Sequence, residues 1–135
     1  MSVRLALTDC DRDHGCMNVL DGSHAWGLLG ERQIFSATSV ADSLPPELAA
    51  RAVVQPIELR AGDLSLHHCL TFHGSLENRS PRPRKTLIVR MFDGDCRLVA
   101  SRLPSAATAA HFPTDGEGHL AATAFPILYD AASHA

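Results

Sequence analysis

Two side chains in this sequence have the types and spacing for one small reaction site: His73 and Arg84, eleven positions apart. They bracket a polar loop, from His73-Gly74-Ser75 to Arg84-Lys85, between two apolar, β-prone runs inside residues 61–92. An imidazole is a common ligand for transition metals, and a guanidinium fork matches the two oxygens of a carboxylate. A histidine ending one strand and an arginine starting the next can converge on one pocket, a metal ligand beside a carboxylate anchor. The plainer reading of the same residues is a surface loop with a basic rim, made of Arg79, Arg82, Arg84 and Lys85.

The neighbours of His73 follow from strand periodicity. Counting by two puts His67, Cys69, Thr71 and His73 on one face, and Leu64, Leu66, His68, Leu70 and Phe72 on the other. Along one extended strand His67 would lie roughly 20 Å from His73, too far to share a metal. His68 falls on the opposite face, so both histidines read as packing or hydrogen-bonded residues. Asp11, Asp13 and His14 read as a solvated acidic turn, since nothing after them completes a calcium loop. No cysteines and histidines fall at structural-zinc spacing, and there is no Gly-rich phosphate cradle or serine nucleophile elbow. Trp26 reads as packing for the connection that follows it.

The elements that must position these groups are short strands. Val3, Leu5 and Leu7 alternate with Arg4, Ala6 and Thr8, which reads as a strand beginning almost at the first residue. Asp9 to Gly15 is turn material and Cys16 to Leu20 a second strand, followed by a turn at Asp21-Gly22-Ser23-His24. From Ala25 to Arg51 the pattern is irregular, with one short helix expected at Pro45-Pro46-Glu47-Leu48-Ala49-Ala50; a connection this long suits a lid over a site mouth. Val53 to Leu59 carries Pro56 and reads as an edge or bulged strand. Leu64 to Phe72 and Lys85 to Phe92 are the next strands, and Asp93-Gly94-Asp95 reads as a hairpin turn into a partner strand, Cys96 to Leu103. The leucines, valines and isoleucines of these strands are expected in the core. A short helix is expected near Ser105 to Ala110, within an Ala-rich tail. Short, closely spaced strands with Gly, Asp and Pro turns point to an antiparallel β-sandwich or jelly roll.

The totals agree with one soluble domain. The chain has 135 residues, 45% apolar and 20% charged, with a formal net charge of −3. No basic stripe interleaved with aromatics favours nucleic acid. No apolar run approaches bilayer length, and the N-terminus has acids close behind its apolar patch, unlike a signal peptide; no membrane partner and a cytoplasmic location are the expectation. Four cysteines without a CxxC motif read as free thiols.

Two stretches carry a resemblance to a known family. LALTDCDRDHGCMNVLDGSHAWG and GDLSLHHCLTFHGSLENRSPRPRKTL together resemble the C-terminal half of phytanoyl-CoA dioxygenase-like proteins, over roughly residues 3–92. That resemblance implies an iron(II)- and 2-oxoglutarate-dependent oxygenase on a double-stranded β-helix, a jelly-roll or cupin-like fold, with one or two short helices. It implies that His73 is the distal iron ligand and Arg84 the anchor for the far carboxylate of 2-oxoglutarate. Asn78 and Ser80 match the family loop and would shape its turn, and Gly22-Ser23-His24 match a mainly structural turn. His14 departs from the pattern, which more often has asparagine before the Gly-Cys. The larger departure is that no His-x-Asp occurs anywhere in the sequence, although a facial triad needs two histidines and a carboxylate. The family places that pair upstream of the strand that begins here.

Two expectations follow. In one, the chain is part of a dioxygenase hydroxylating a small molecule or acyl thioester, with the remaining ligands supplied by an upstream segment or a second polypeptide. In the other it is a non-catalytic remnant of the fold, a small-carboxylate-binding or protein-interaction module. Residues 1–103 would form the C-terminal part of the β-helix domain, and 104–135 a tail packed on it or extending from it. Half a β-helix leaves strand edges unpaired, so the isolated chain is expected to be oligomeric or poorly stable.

Overall fold

The computed structural model describes residues 1–29, 40–103 and 105–130. Chain contacts divide it into two units, Met1–Met91 and Phe92–Ala135. In the first unit the strands are β1 (Ser2–Ala6), β2 (Met17–Leu20), β3 (Val54–Ile57), β4 (Leu64–His67), β5 (His73–Ser75) and β6 (Thr86–Arg90), with helix α1 (Pro46–Ala49) before β3. They form two three-stranded antiparallel sheets, ordered β4-β1-β6 and β3-β2-β5. The chain crosses between sheets after β1, β3, β4 and β5, which is the winding of a partial double-stranded β-helix. The protein is therefore mainly β, as its turn-rich strands imply.

Local chemistry accounts for the elements. α1 begins with proline at its first position and carries Glu47 in its first turn, where the helix dipole favours an acid. Pro56 is tolerated because β3 pairs only with β2, at the sheet edge. The run from Leu64 to Phe72 is not one strand, contrary to its periodicity. β4 stops at His67, and a turn closed by Thr71 N–H donating to His68 O (3.0 Å) delivers the chain to β5 in the other sheet. His68 serves that turn directly, its Nδ1 accepting from Leu70 N–H at 3.2 Å.

Which face looks inward also differs from expectation. On β1 the buried residues are Arg4 and Ala6, while Val3 and Leu5 point the other way. Register places Val3 beside Leu66 and Val89, and Leu5 beside Leu64 and Leu87. Leu64, Leu66 and Leu87 are each more than half exposed, so the expectation that the strand leucines are core fails on this sheet. The buried apolar set is instead Ala6, Cys10, Cys16, Met17, Leu20 and Leu44. Periodicity tells which side chains share a face; it cannot tell which face the second sheet covers.

In the second unit, Cys96 to Leu103 does not form the expected strand. Cys96 N–H closes a turn on Asp93 O (3.0 Å), Arg97 bridges to His119, Leu98 N–H donates to Gly118 O (2.9 Å), and Ala100–Arg102 is a 3-10 turn. Backbone partners further along the chain thus displace the local hairpin. Helix α2 (Ala106–Ala109) lies within the helix expected there, and Phe112 stacks on Phe125 at 6.0 Å. All four cysteines are free thiols. No helix among the described residues is long and apolar enough to cross a membrane. Part of the expected lid, residues 30–39, and the last five residues of the tail lie outside the described residues.

Candidate functional site

His73 opens β5 and Ser75 closes it, so alternation projects both from one face of that strand. Arg84, in the loop before β6, donates from Nη1 to Ser75 Oγ at 3.0 Å and to the carbonyl oxygen of Gly15. The guanidinium therefore reaches the face of β5 that carries the imidazole. His73 Nδ1 lies 2.7 Å from Thr71 O, an acceptor, which orients the ring with Nδ1 as donor and, in the neutral imidazole, leaves the lone pair on Nε2.

The loop between them is tied by its own polar side chains. Asn78 Nδ2 donates to Arg82 O at 2.7 Å, and Asn78 Oδ1 accepts from both Ser80 N–H (3.0 Å) and Ser80 Oγ (2.8 Å). These residues hold a turn, as the loop motif implies. Gly15 permits the loop to approach: its φ is +64°, and a Cβ there would lie 2.5 Å from Leu76 O. Gly22, at φ +66°, precedes the 3-10 turn of Ser23, whose buried Oγ accepts from Phe72 N–H (2.9 Å) just before β5. The Gly-Ser-His turn is thus a support for the strand bearing His73.

Three positions were missed or misplaced by sequence reasoning. His67 ends β4, and its ring centroid is 4.9 Å from that of His73, not the long strand distance expected, because the chain turns back between them. Its Nδ1 is buried with no hydrogen-bond partner among the described residues. Burial, reinforced by His73, Arg4, the amino terminus and Arg90, holds the His67 pKa below its ordinary value. Arg4 is 6% exposed, with Nη2 3.5 Å from Thr86 Oγ1; burial, with Arg84 nearby, lowers its pKa. The alternating pattern of β1 could have marked Arg4, had the inward face been known. His14 is not part of a solvated turn: it is 2% exposed, and its Nδ1 lies 2.9 Å from Asp11 Oδ1, on a carboxylate whose own pKa the hydrogen bonds from His14 lower.

The donor set can be weighed against the two groups the motif implies. At the carboxylate end it fits, since Arg84 and the Ser75 hydroxyl stand together. At the metal end His73 offers Nε2, but among the described residues no group of three or more His, Cys, Asp or Glu side chains could hold an ion. Two surface recesses of about 410 and 340 Å³ are lined by residues such as Thr8, His14 and Lys85, and Cys10, Glu58 and Asp63. Neither includes His67, His73 or Arg84. β5 and β6 are edge strands among the described residues.

Comparison with known proteins bears on this arrangement. Residues 1–86 match the phytanoyl-CoA dioxygenase family. Phytanoyl-CoA dioxygenase 1 of Oryza sativa subsp. japonica is 33% identical over 89 residues, which is 66% of this chain and 31% of that protein. Two solved structures also resemble it, both with a TM-score of 0.47. The non-heme alpha ketoglutarate dependent carbocyclase SnoK from nogalamycin biosynthesis is 32% identical, the match covering 63% of this chain and 32% of that one. The epimerase SnoN from the same biosynthesis is 25% identical, over 64% of this chain and 28% of that one. The chain spans about a third of the length of each of these relatives.

Proposed function

Since the chain belongs to the phytanoyl-CoA dioxygenase family, we propose that it supplies the co-substrate anchor and the distal metal ligand of an iron(II)/2-oxoglutarate site. The observation that carries this reading is the Arg84–Ser75 contact on the His73 face of β5. A guanidinium has five N–H donors, and two acceptors, Gly15 O and Ser75 Oγ, aim it while leaving others for the far carboxylate of 2-oxoglutarate. The Ser75 hydroxyl can turn its proton to the same carboxylate. His73 presents Nε2, with the Thr71 carbonyl fixing tautomer and ring orientation as an outer partner does for a metal-bound imidazole. When bound, iron(II) would provide the centre at which dioxygen, the oxidant, is activated, and 2-oxoglutarate would give up two electrons by oxidative decarboxylation, so that an unactivated carbon, here of a small molecule or acyl thioester, could be hydroxylated. No His-x-Asp occurs in the sequence, so in this reading that pair of ligands is supplied by another polypeptide segment.

Calorimetric titration of 2-oxoglutarate into the chain, with and without anaerobic iron(II), tests the reading. Arg84→Ala is expected to weaken binding by roughly 10- to 150-fold, the worth of a hydrogen bond to a charged group. Equal affinity in the variant sinks the anchor. A charge-transfer absorption on adding iron(II) that persists undiminished in His73→Ala sinks the ligand. Binding that needs Arg84 but is indifferent to iron leaves a carboxylate-binding module instead of an oxygenase.

A further inference from the structure

We propose that His67 and His73 together form a two-imidazole site for a borderline transition-metal dication, held most tightly as Cu²⁺. This rests on the reading of His73 as a metal ligand and adds a donor absent from the His-x-Asp plus distal histidine pattern. Three observations carry it. The rings stand 4.9 Å apart at an interplanar angle of 56°. Two imidazoles sharing one ion, with metal–nitrogen bonds of about 2.0–2.1 Å and neighbouring coordination positions, place their ring centres about 5 Å apart. Second, His67 Nδ1 is buried without a partner among the described residues, although a polar atom in that position is ordinarily hydrogen-bonded. A bound ion would satisfy it. Third, His73 Nδ1 is committed to Thr71 O at 2.7 Å, so the lone pair of Nε2 is available and the ring is already oriented.

Position explains why these two meet. His67 is the last residue of β4 in one sheet and His73 the first of β5 in the other, so the crossing between sheets folds the five intervening residues into a turn. Imidazole nitrogen suits copper, nickel, zinc and iron, and affinity among divalent ions peaks at copper. Arg4, Arg90 and the amino terminus add positive charge around His67, so the ion enters with an anionic co-ligand, a hydroxide or a carboxylate.

Cu²⁺ is titrated into the full chain and into His67→Phe, His73→Phe and His111→Phe. Removing either member of the pair should weaken the tightest site by at least the roughly 10- to 100-fold that losing a mere outer partner costs, with His111→Phe unchanged. Electron paramagnetic resonance should show two coupled nitrogens in the native chain and one in His67→Phe. Loss in His73→Phe but not in His67→Phe overturns this inference and leaves His73 as a ligand; loss in neither overturns both. Because a variant can fail to fold, Zn²⁺ is added to the unmodified chain, and the imidazole NMR signals of His67 and His73 must shift together at one equivalent. A shift at His73 without one at His67 overturns the pair.

Discussion

The two faces of the β4-β1-β6 sheet carry opposite chemistry. The inward face is mostly polar, with Arg4, Ser65, His67 and Thr86 beside Ala6 and an exposed Ile88; the outward face presents Val3, Leu5, Leu64, Leu66, Leu87 and Val89. In a half-buried sheet the apolar side ordinarily faces the core. Here the covered side holds a buried guanidinium, a half-buried imidazole and two polar atoms without partners among the described residues, Ser65 Oγ and His67 Nδ1. Such an interior is costly as packing and useful as a recess for a charged ligand. The outward leucines form the kind of exposed apolar surface that draws in a partner.

Five experiments can break or sharpen this contrast. The largest effect is expected where the inner site meets the backbone: Gly15→Val puts a branched side chain at φ +64° and against Leu76 O, and should cost about 3 kcal/mol of stability. Urea unfolding measures it, and a loss under about 1 kcal/mol would mean the loop can step aside. Next, Arg4→Met should raise the stability by about 1 kcal/mol or more, because an apolar side chain replaces a buried charge whose side-chain partners among the described residues, Thr86 and Cys10, include no carboxylate. A destabilised variant would show that Arg4 has a stabilising partner in solution and that the inner face is not a stored cost.

On the outer face, Leu66→Ala should change stability by no more than about 0.5 kcal/mol, since the side chain is already more than half exposed. A cost of about 2–5 kcal/mol, typical of a core leucine, would mean that this face is covered in solution. Sedimentation of the native chain against Leu66→Lys tests the same point, with self-association expected to fall in the variant. The smallest effect concerns pH. Folding holds the His67 pKa below its ordinary 6.5, so the unfolded chain binds a proton that the folded chain does not. Stability should therefore be level above that pH and decline as pH falls from 6.5 towards the folded value. His67→Phe should flatten this decline in urea midpoints; an identical decline in the variant would remove the effect from His67.

How much of this could be read without coordinates varies by residue. The glycine turns and the Asn78–Ser80 loop were legible because each is a local motif with its own geometry. Pro56 marked an edge strand for the same reason, a missing N–H. His67 was misjudged because a period-two count assumes an unbroken strand, and the turn at His68 to Thr71 breaks it. The Cys96–Leu103 strand failed because its backbone groups bond to residues near Gly118 and His119, which local pattern cannot foresee.

By itself, then, the order of residues determined short antiparallel strands, the turns between them and the two side chains flanking one loop, since dihedral preference and alternation act within a few positions. Only the tertiary structure decided that Arg4 points inward while Leu66 points out, and that two histidines six positions apart come ring to ring. Those outcomes depend on which sheet covers which face, and that is settled by contacts between distant segments.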